Sequence, residues 1–227
     1  RQLAMLRVMT LNAHAGVNAR GAYDLDRLAQ AIASANPDIV GLQEMTRNHN
    51  VYQCQDQPRV LAARLQAITS RPWTSVYVNE WVTKHTQCVD SGRGDGVETE
   101  GLAFLAPEPI QSVDHVKLWN GRIGLSARLG SVPDLTFVVT HLAANTAGQA
   151  DRTRQIAGLL PWVEARRGAT ILLGDFNTGP DAPELQPVLA AFHDAWADAS
   201  ARGAASGSGE THKRWRIDYV FDTPGRG

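Results

Sequence analysis

Cysteine is scarce in this 227-residue chain: Cys54 lies in VYQCQDQP and Cys88 in KHTQCVDSGRGDG. Two residues are too few for a disulfide framework, and they lack the Cys-x-x-Cys spacing of a structural zinc site. Their polar neighbours leave two alternatives open. Either Cys54 and Cys88 form a disulfide pinning a long loop, which requires an oxidising compartment, or they are unpaired surface thiols.

Excess charge of one sign is also missing. Lys plus Arg is 22 and Asp plus Glu is 23, a formal net charge of −1. That excludes recruitment to DNA or to an acidic membrane by a global positive field, so any polyanion must be gripped locally. No apolar run approaches the roughly 20 residues of a spanning helix. The N-terminal RQLAMLRVMTLN has neither the apolar core nor the cleavage site of a signal peptide. The expectation is a soluble chain which, if secreted, has already lost its leader.

Internal repeats and a convincing domain linker are absent as well. With 43% hydrophobic residues, a chain of this length can bury roughly 70% of its unfolded surface. One domain over residues 1–227 is therefore expected.

What is present alternates strand with helix. LRVMTLN (6–12) reads as a strand, and DLDRLAQAIASAN (24–36) has helical spacing of Leu25, Leu28, Ala29 and Ile32. PDIVGLQE (37–44) is a short apolar strand, and PRVLAARLQAI (58–68) repeats the helical pattern. SVYVNEWV, GLAFLAP, IQSVDHVKLW, RIGLSARL and DLTFVVTHL follow as strands broken by Gly and Pro. QADRTRQIAGLLPWVEARR is helical, with Pro161 expected to kink or divide it. ATILLGD is a strand, DAPELQPVLAAFHDAW a helix, ARGAASGSGE (201–210) a flexible loop and WRIDYVF (215–221) a strand. The fold class expected is α/β, with two packed, mainly antiparallel sheets flanked by helices.

Several of the apolar strands end in polar residues. VMTLN ends in Asn12, IVGLQE in Gln43 and Glu44, and ILLGD in Asp175 with Asn177 just beyond. TFVVTHL carries His141 near its end, and WRIDYVF carries Asp218 in its middle. An isolated Asp-Phe-Asn is ordinarily a turn former. Five such strands point instead to a shared site, because a carboxylate at the end of an apolar strand needs a cation or a hydrogen-bond network.

The residue types suit phosphate hydrolysis. Glu44 and Asn12 supply hard oxygen ligands for Mg²⁺, with Mn²⁺ as the alternative, and leave coordination positions for a phosphate oxygen. Asp175 can orient and activate water, Asn177 can donate to a phosphoryl oxygen without adding charge, and His141 can donate a hydrogen bond or a proton.

LRVMTLNAHAG, ANPDIVGLQEM, VVTHLAAN, ILLGDFNTGP and RWRIDYVF occur in an order that resembles the endonuclease/exonuclease/phosphatase superfamily, from about residue 6 to 222. The resemblance implies a four-layer α/β sandwich and a metal-dependent phosphoester hydrolase, with Asn12 and Glu44 at the metal. It implies that Asp175 prepares the nucleophile with Asn177 as companion, that His141 contacts phosphate, and that Glu100 is the acid supporting His141. Glu98, two residues away on the same side of the strand, competes for that last role. It also implies a strand and a Ser-Asp-His segment after Asp218, whose His the Asp holds. The sequence given stops at FDTPGRG, so the last strand and that His are expected from a longer chain or a separate C-terminal fragment. Asp114-His115 is a weak substitute.

Substrate contacts are assigned to His14, Asn145 and Arg152, each with a plain competitor: a surface loop His, a helix cap and a solvated helix face. HKRWR (212–216) reads as the charged entrance to a strand, or as a grip on phosphates with Trp215 stacking on a base. The partner expected is a phosphodiester, nucleic acid before lipid. The alternatives are a sphingomyelinase-like or inositol-phosphate hydrolase, and a non-enzymatic phosphate-binding module lacking the final His. Localisation is expected to be secreted or periplasmic, with the cytoplasm as alternative.

Overall fold

The computed structural model describes residues 5–85, 88, 96–144 and 148–224. The chain divides into two compact units, Arg1–Ile110 and Gln111–Gly227.

In the first unit β1 (Val8–Asn12) and β2 (Ile39–Arg47) run parallel, in register from Val8↔Ile39 to Asn12↔Gln43. A parallel pair needs a crossover, and α1 (Leu25–Ala35) supplies it. Asp24 caps this helix by accepting from the Arg27 N–H, Leu25, Ala29 and Ile32 are buried, and Asn36 ends it in the left-handed region before Pro37. A second helix, α2 (Gln57–Thr69), is capped by Asp56 and has Pro58 in its first turn. The strands β3 (Thr74–His85) and β4 (Val97–Ala106) complete a sheet of order β1-β2-β4-β3. Ile32, Leu61 and Leu65 pack on Val40, Leu42, Ala103 and Leu105.

Cys54 and Cys88 are disulfide-bonded, with Cα atoms 5.6 Å apart. Both are buried, so of the two alternatives the structure takes the bridge.

The second unit holds β5 (Ile110–Lys117), β6 (Ile123–Leu129), β7 (Leu135–His141), β8 (Ala169–Asp175), β9 (His193–Asp194) and β10 (Asp218–Asp222). Their order is β5-β6-β7-β8-β10-β9. Here β7 and β8 are parallel, joined through α3 (Gly148–Glu164), and β8 and β10 antiparallel. Ile156, Leu159 and Val163 of α3 pack with Val138, Leu172, Phe176, Tyr219 and Phe221. At one margin β5 is exposed along most of its length and Ser112 has φ 51°, while β9 at the other margin is two residues long. Each sheet thus has one parallel pair in an otherwise mainly antiparallel arrangement, the α/β class expected.

Several boundaries differ from expectation. Pro161 does not divide α3: it sits in the last turns, where one missing N–H is offset by the buried Leu159 and Val163 on either side. The segment read as one helix after Asp181 is broken into α4 (Gln186–Ala191), β9 and α5 (Ala195–Ala201). Extended backbone at Phe192 ends α4, His193 and Asp194 pair with β10, and the Asp194 carboxylate caps α5 by accepting from the Ala197 N–H. β10 begins at Asp218 rather than at Trp215, because Trp215 is held in a turn by backbone hydrogen bonds to Thr211 and His212. Residues 204–210 form no regular element. Among the described residues no helix is long and apolar enough to cross a membrane.

Candidate functional site

The polar strand ends fall into two sets, one in each unit. In the first, β1 delivers Asn12 and β2 delivers Glu44, and Asn12 Nδ2 donates to Glu44 Oε1 at 2.9 Å. Glu44 sits in a β-bulge: the register of β2 against β4 shifts between Leu42 and Met45, and Glu44 has φ 54°. A left-handed non-glycine residue costs of order 1–2 kcal/mol. The bulge re-aims the carboxylate out of the ladder while Leu42 and Met45 on either side remain fully buried. It also lets β2 run on to Arg47, three residues beyond the expected end.

The Asn12 amide oxygen accepts from the His14 N–H at 3.0 Å, and His14 Nδ1 lies 3.4 Å from Glu44 Oε2. His14 is 62% exposed at its side chain and Glu44 29%, so the pair is open to solvent. One carboxylate and one amide oxygen, half-buried, are the hard, sparse donor set that suits Mg²⁺, which keeps several of its waters. Among the described residues no three His, Cys, Asp or Glu side chains form a closed cage. The carboxylate and amide oxygens present are hard donors, a set that fits a divalent cation.

The second set is a row across three adjacent strands. His141 is the parallel partner of Asp175, and Asp218 is its antiparallel partner. Directly opposed residues leave the sheet on the same face, and like charges placed this way repel. Two aspartates paired across β8 and β10 are an arrangement that packing alone would not select. His141 Nε2 lies 3.8 Å from Asp175 Oδ2, with both side chains almost fully buried.

The loop after β8 is fastened from inside. Phe176 is fully buried and packs edge-on to Tyr219 and Phe221, so Asp175 and Asn177 are held on either side of a core anchor. The Asn177 N–H donates to Asp175 Oδ1 (2.9 Å), Asn177 Nδ2 donates to the Leu142 carbonyl (2.9 Å), and the Leu142 N–H donates to the Asp175 carbonyl (2.9 Å). Gly174 permits this closeness: its φ is +144°, and a Cβ there would lie 2.0 Å from the Thr140 carbonyl oxygen.

Arg152 is employed differently from the expected substrate contact. It is buried, its Nε and Nη2 each lie 2.9 Å from Glu184 Oε1, and its Nη1 donates to the Ala143 carbonyl at 3.0 Å. The Thr178 hydroxyl donates to the same Glu184 oxygen at 2.9 Å. Burial raises the Glu184 pKa, but hydrogen bonds from its own backbone N–H, Thr178 and Arg152, with the Arg152 charge, outweigh it and hold the carboxyl below its ordinary range. Arg152 thus supports the loops after β7 and β8. Its spacing with Ile156, Leu159 and Val163 on the inward helix face carried that signal.

Arg122 was missed by sequence reasoning; its Nη1 lies 3.0 Å from His141 Nδ1. A basic residue directly after the Asn-Gly turn of WNGRIG was the available signal. Glu100 lies on β4 opposite Thr46 and Trp81. Its competitor Glu98 is buried with its Oε1 3.2 Å from His49 Nε2, a contact that accounts for it without catalysis. Asn145 lies outside the described residues. Asp114 pairs with Arg166 at 3.1 Å on the exposed β5, two strands from β7, so Asp114-His115 lies outside the row on β7, β8 and β10 where it would have to stand in for the Ser-Asp-His histidine. In HKRWR, Arg216 is bound to Asp194 at 2.6 Å, a structural role, while Trp215 is exposed.

The chain is similar to known proteins in sequence and in fold. Residues 9–221 match the Endonuclease/Exonuclease/phosphatase family. A family protein of known structure from Beutenbergia cavernae is 26% identical, with a TM-score of 0.69 over 96% of this chain. The chain spans 64% of that protein's length. One from Leptotrichia buccalis shares the fold at 21% identity and a TM-score of 0.73, covering 96% of this chain and 87% of its own. The human Nocturnin catalytic domain, solved with a bound sulfate anion, shares it at 18% identity and a TM-score of 0.67, covering 96% and 82%. No curated protein matches the sequence. With the match running from β1 into β10, the chain belongs to the endonuclease/exonuclease/phosphatase family.

Proposed function

We propose that this chain is a Mg²⁺-dependent phosphodiesterase, a nuclease in substrate class, that hydrolyses its ester by direct attack of water. The observation that carries the reading is the row His141, Asp175 and Asp218 in register on adjacent strands, with Asn177 fastened beside it. Family membership supports phosphoester hydrolysis as the general activity.

Asp175 is the group that takes the water's proton. Its Oδ1 is oriented by the Asn177 N–H, and its Oδ2 faces His141. One hydrogen of the Asn177 amide is used on the Leu142 carbonyl, and the second is left for a phosphoryl oxygen. His141 donates to the same phosphoryl group, and charge developing there meets neutral donors already held in place. Asn12 and Glu44 would hold the cation, which would supply positive charge to offset that of a phosphoester. The single-domain organisation over residues 1–227 read from the sequence remains part of this proposal.

Nucleic acid is preferred over lipid because Trp73, at the start of the segment that a membrane-reading enzyme would expose, is withdrawn from the surface. Trp73 is buried, with its Nε1 donating to the Thr69 hydroxyl at 2.9 Å. The Cys54–Cys88 bridge supports an oxidising compartment, secreted or periplasmic.

Nicking of supercoiled plasmid is the test. Mg²⁺-dependent nicking is expected that stops with EDTA and falls about 10³-fold in Asp175→Ala, within the range for loss of a general base. Nicking that persists undiminished in Asp175→Ala would overturn the assignment of that residue. Cleavage of phospholipid or inositol-phosphate esters with no nicking would replace the substrate class and keep the chemistry.

A further inference from the structure

Arg122 and His141 meet in a way that restricts what His141 can be. A guanidinium remains charged throughout the working pH range and has donors but no acceptor. With Arg122 Nη1 at 3.0 Å, the histidine Nδ1 can only accept. An imidazole that accepts at Nδ1 is neutral and carries its proton on Nε2, because the imidazolium has a proton on both nitrogens. Nε2 is the nitrogen that faces Asp175, 3.8 Å from Oδ2.

We propose that Arg122 is a positioning residue that fixes His141 as the neutral Nε2–H tautomer, so that the ring presents a hydrogen-bond donor beside Asp175. The consequence for rate rests on the hydrolytic reading above. The tautomer itself does not.

The turn that carries Arg122 is built to hold it still. Asn120 and Gly121 have φ of 56° and 79°, and the Leu118 N–H donates to the Arg122 carbonyl at 2.7 Å, closing the turn. Gln155, fully buried on α3, donates to the Trp119 carbonyl (3.1 Å) and accepts from the Ala143 N–H (2.9 Å). One side chain therefore ties the Arg122 turn to the segment two residues beyond His141. Four residues earlier on the same helix face, Asp151 accepts from Trp119 Nε1 (3.0 Å) and from Asn120 Nδ2 (3.2 Å). Arg122 and His141 are both indexed to α3, so their contact has little freedom to slip. A donor fixed before substrate arrives needs no reorganisation during the reaction.

Long-range ¹H–¹⁵N spectra of the histidine rings test this on the intact protein, with His141 identified by the signals lost in His141→Gln. The wild type should show the Nε2–H pattern. Arg122→Met should move the ring toward Nδ1–H and lower kcat by about 10- to 100-fold with KM little changed, less than the roughly 10²–10³ for deleting a transition-state donor. Arg122→Lys, which restores a donor, should recover the wild-type pattern and most of the rate.

A wild-type ring protonated on Nδ1, or on both nitrogens at pH 7, overturns the proposal even if Arg122→Met does not fold. So does an Arg122→Met protein whose His141 pattern is unchanged; a rise in KM with that unchanged pattern would place the arginine on the substrate instead. The expected tautomer in a protein that hydrolyses no phosphoester would sink the proposed function and leave the positioning role standing.

Discussion

The two sets of site residues are made by different means. Asn12 and Glu44 are joined to one another by side chains, on a bulged strand whose carboxylate stands open to solvent. His141, Asp175 and Asp218 are aligned by backbone register, with His141 and Asp175 almost fully buried and the following loop pinned by Phe176. The difference matches the tasks proposed for them. A cation ligand must exchange with water and accept a range of positions, whereas a base and a phosphate donor act only at a fixed distance.

If that contrast is correct, the largest disturbance comes from the backbone of the row. Gly174→Ala forces a Cβ against the Thr140 carbonyl. It should destabilise the protein by about 3 kcal/mol, the upper end of ordinary point substitutions, and lower activity in parallel. Denaturant unfolding with single-turnover rates checks both, and a stable Gly174→Ala protein would show the close approach of β7 and β8 to be dispensable.

A smaller loss is expected one layer out. Glu184→Gln keeps an acceptor for Thr178 but leaves the buried Arg152 charge uncompensated, so roughly 2 kcal/mol of stability should go at pH 7, short of the 3–5 of a truncated buried pair. Because the folded-state pKa of Glu184 is lowered from 4.5, its contribution is complete above that value and is lost as pH falls through the lower folded-state pKa. Melting curves of wild type and variant should therefore stay apart at pH 7 and converge only as pH falls from 4.5 through the lower folded-state pKa. A constant gap would mean the carboxylate charge is not what stabilises the loop.

The mildest effect is expected in the open pair. Glu44→Gln should raise the half-saturating Mg²⁺ concentration by at least the roughly 10- to 100-fold typical of disturbing the partners of a metal ligand, with melting temperature unchanged and rate recovered at high metal. A stability loss as large as that of Gly174→Ala would erase the contrast between the sets.

Sequence reasoning reached the strand ends because their signal is local: apolar runs terminating in Asn12, Glu44, His141 and Asp175 can be read within a few residues. It could not reach features that exist only as register or distance. The bulge at Glu44 appears only when β2 is laid against β4. Arg122 lies 19 positions before His141 and is brought to it by the β6–β7 hairpin. The splitting of residues 186–201 was hidden because His193 and Asp194 become a strand only through pairing with β10, a tertiary contact overriding a helical composition. Cysteine pairing was undecidable for the same reason, since 34 positions separate Cys54 from Cys88.

The margins of the six-stranded sheet bear on how molecules of this protein treat one another at high concentration. A net charge of −1 offers almost no colloidal repulsion, so association must be discouraged locally. At one margin an incoming strand would meet β5, with a left-handed residue at Ser112, the ion-paired Asp114, and His115 and Lys117 at its far end. At the other it would find only two residues of β9 to copy. Neither margin is a long, flat, apolar template, and interruption of the ladder does the work that surface charge leaves undone.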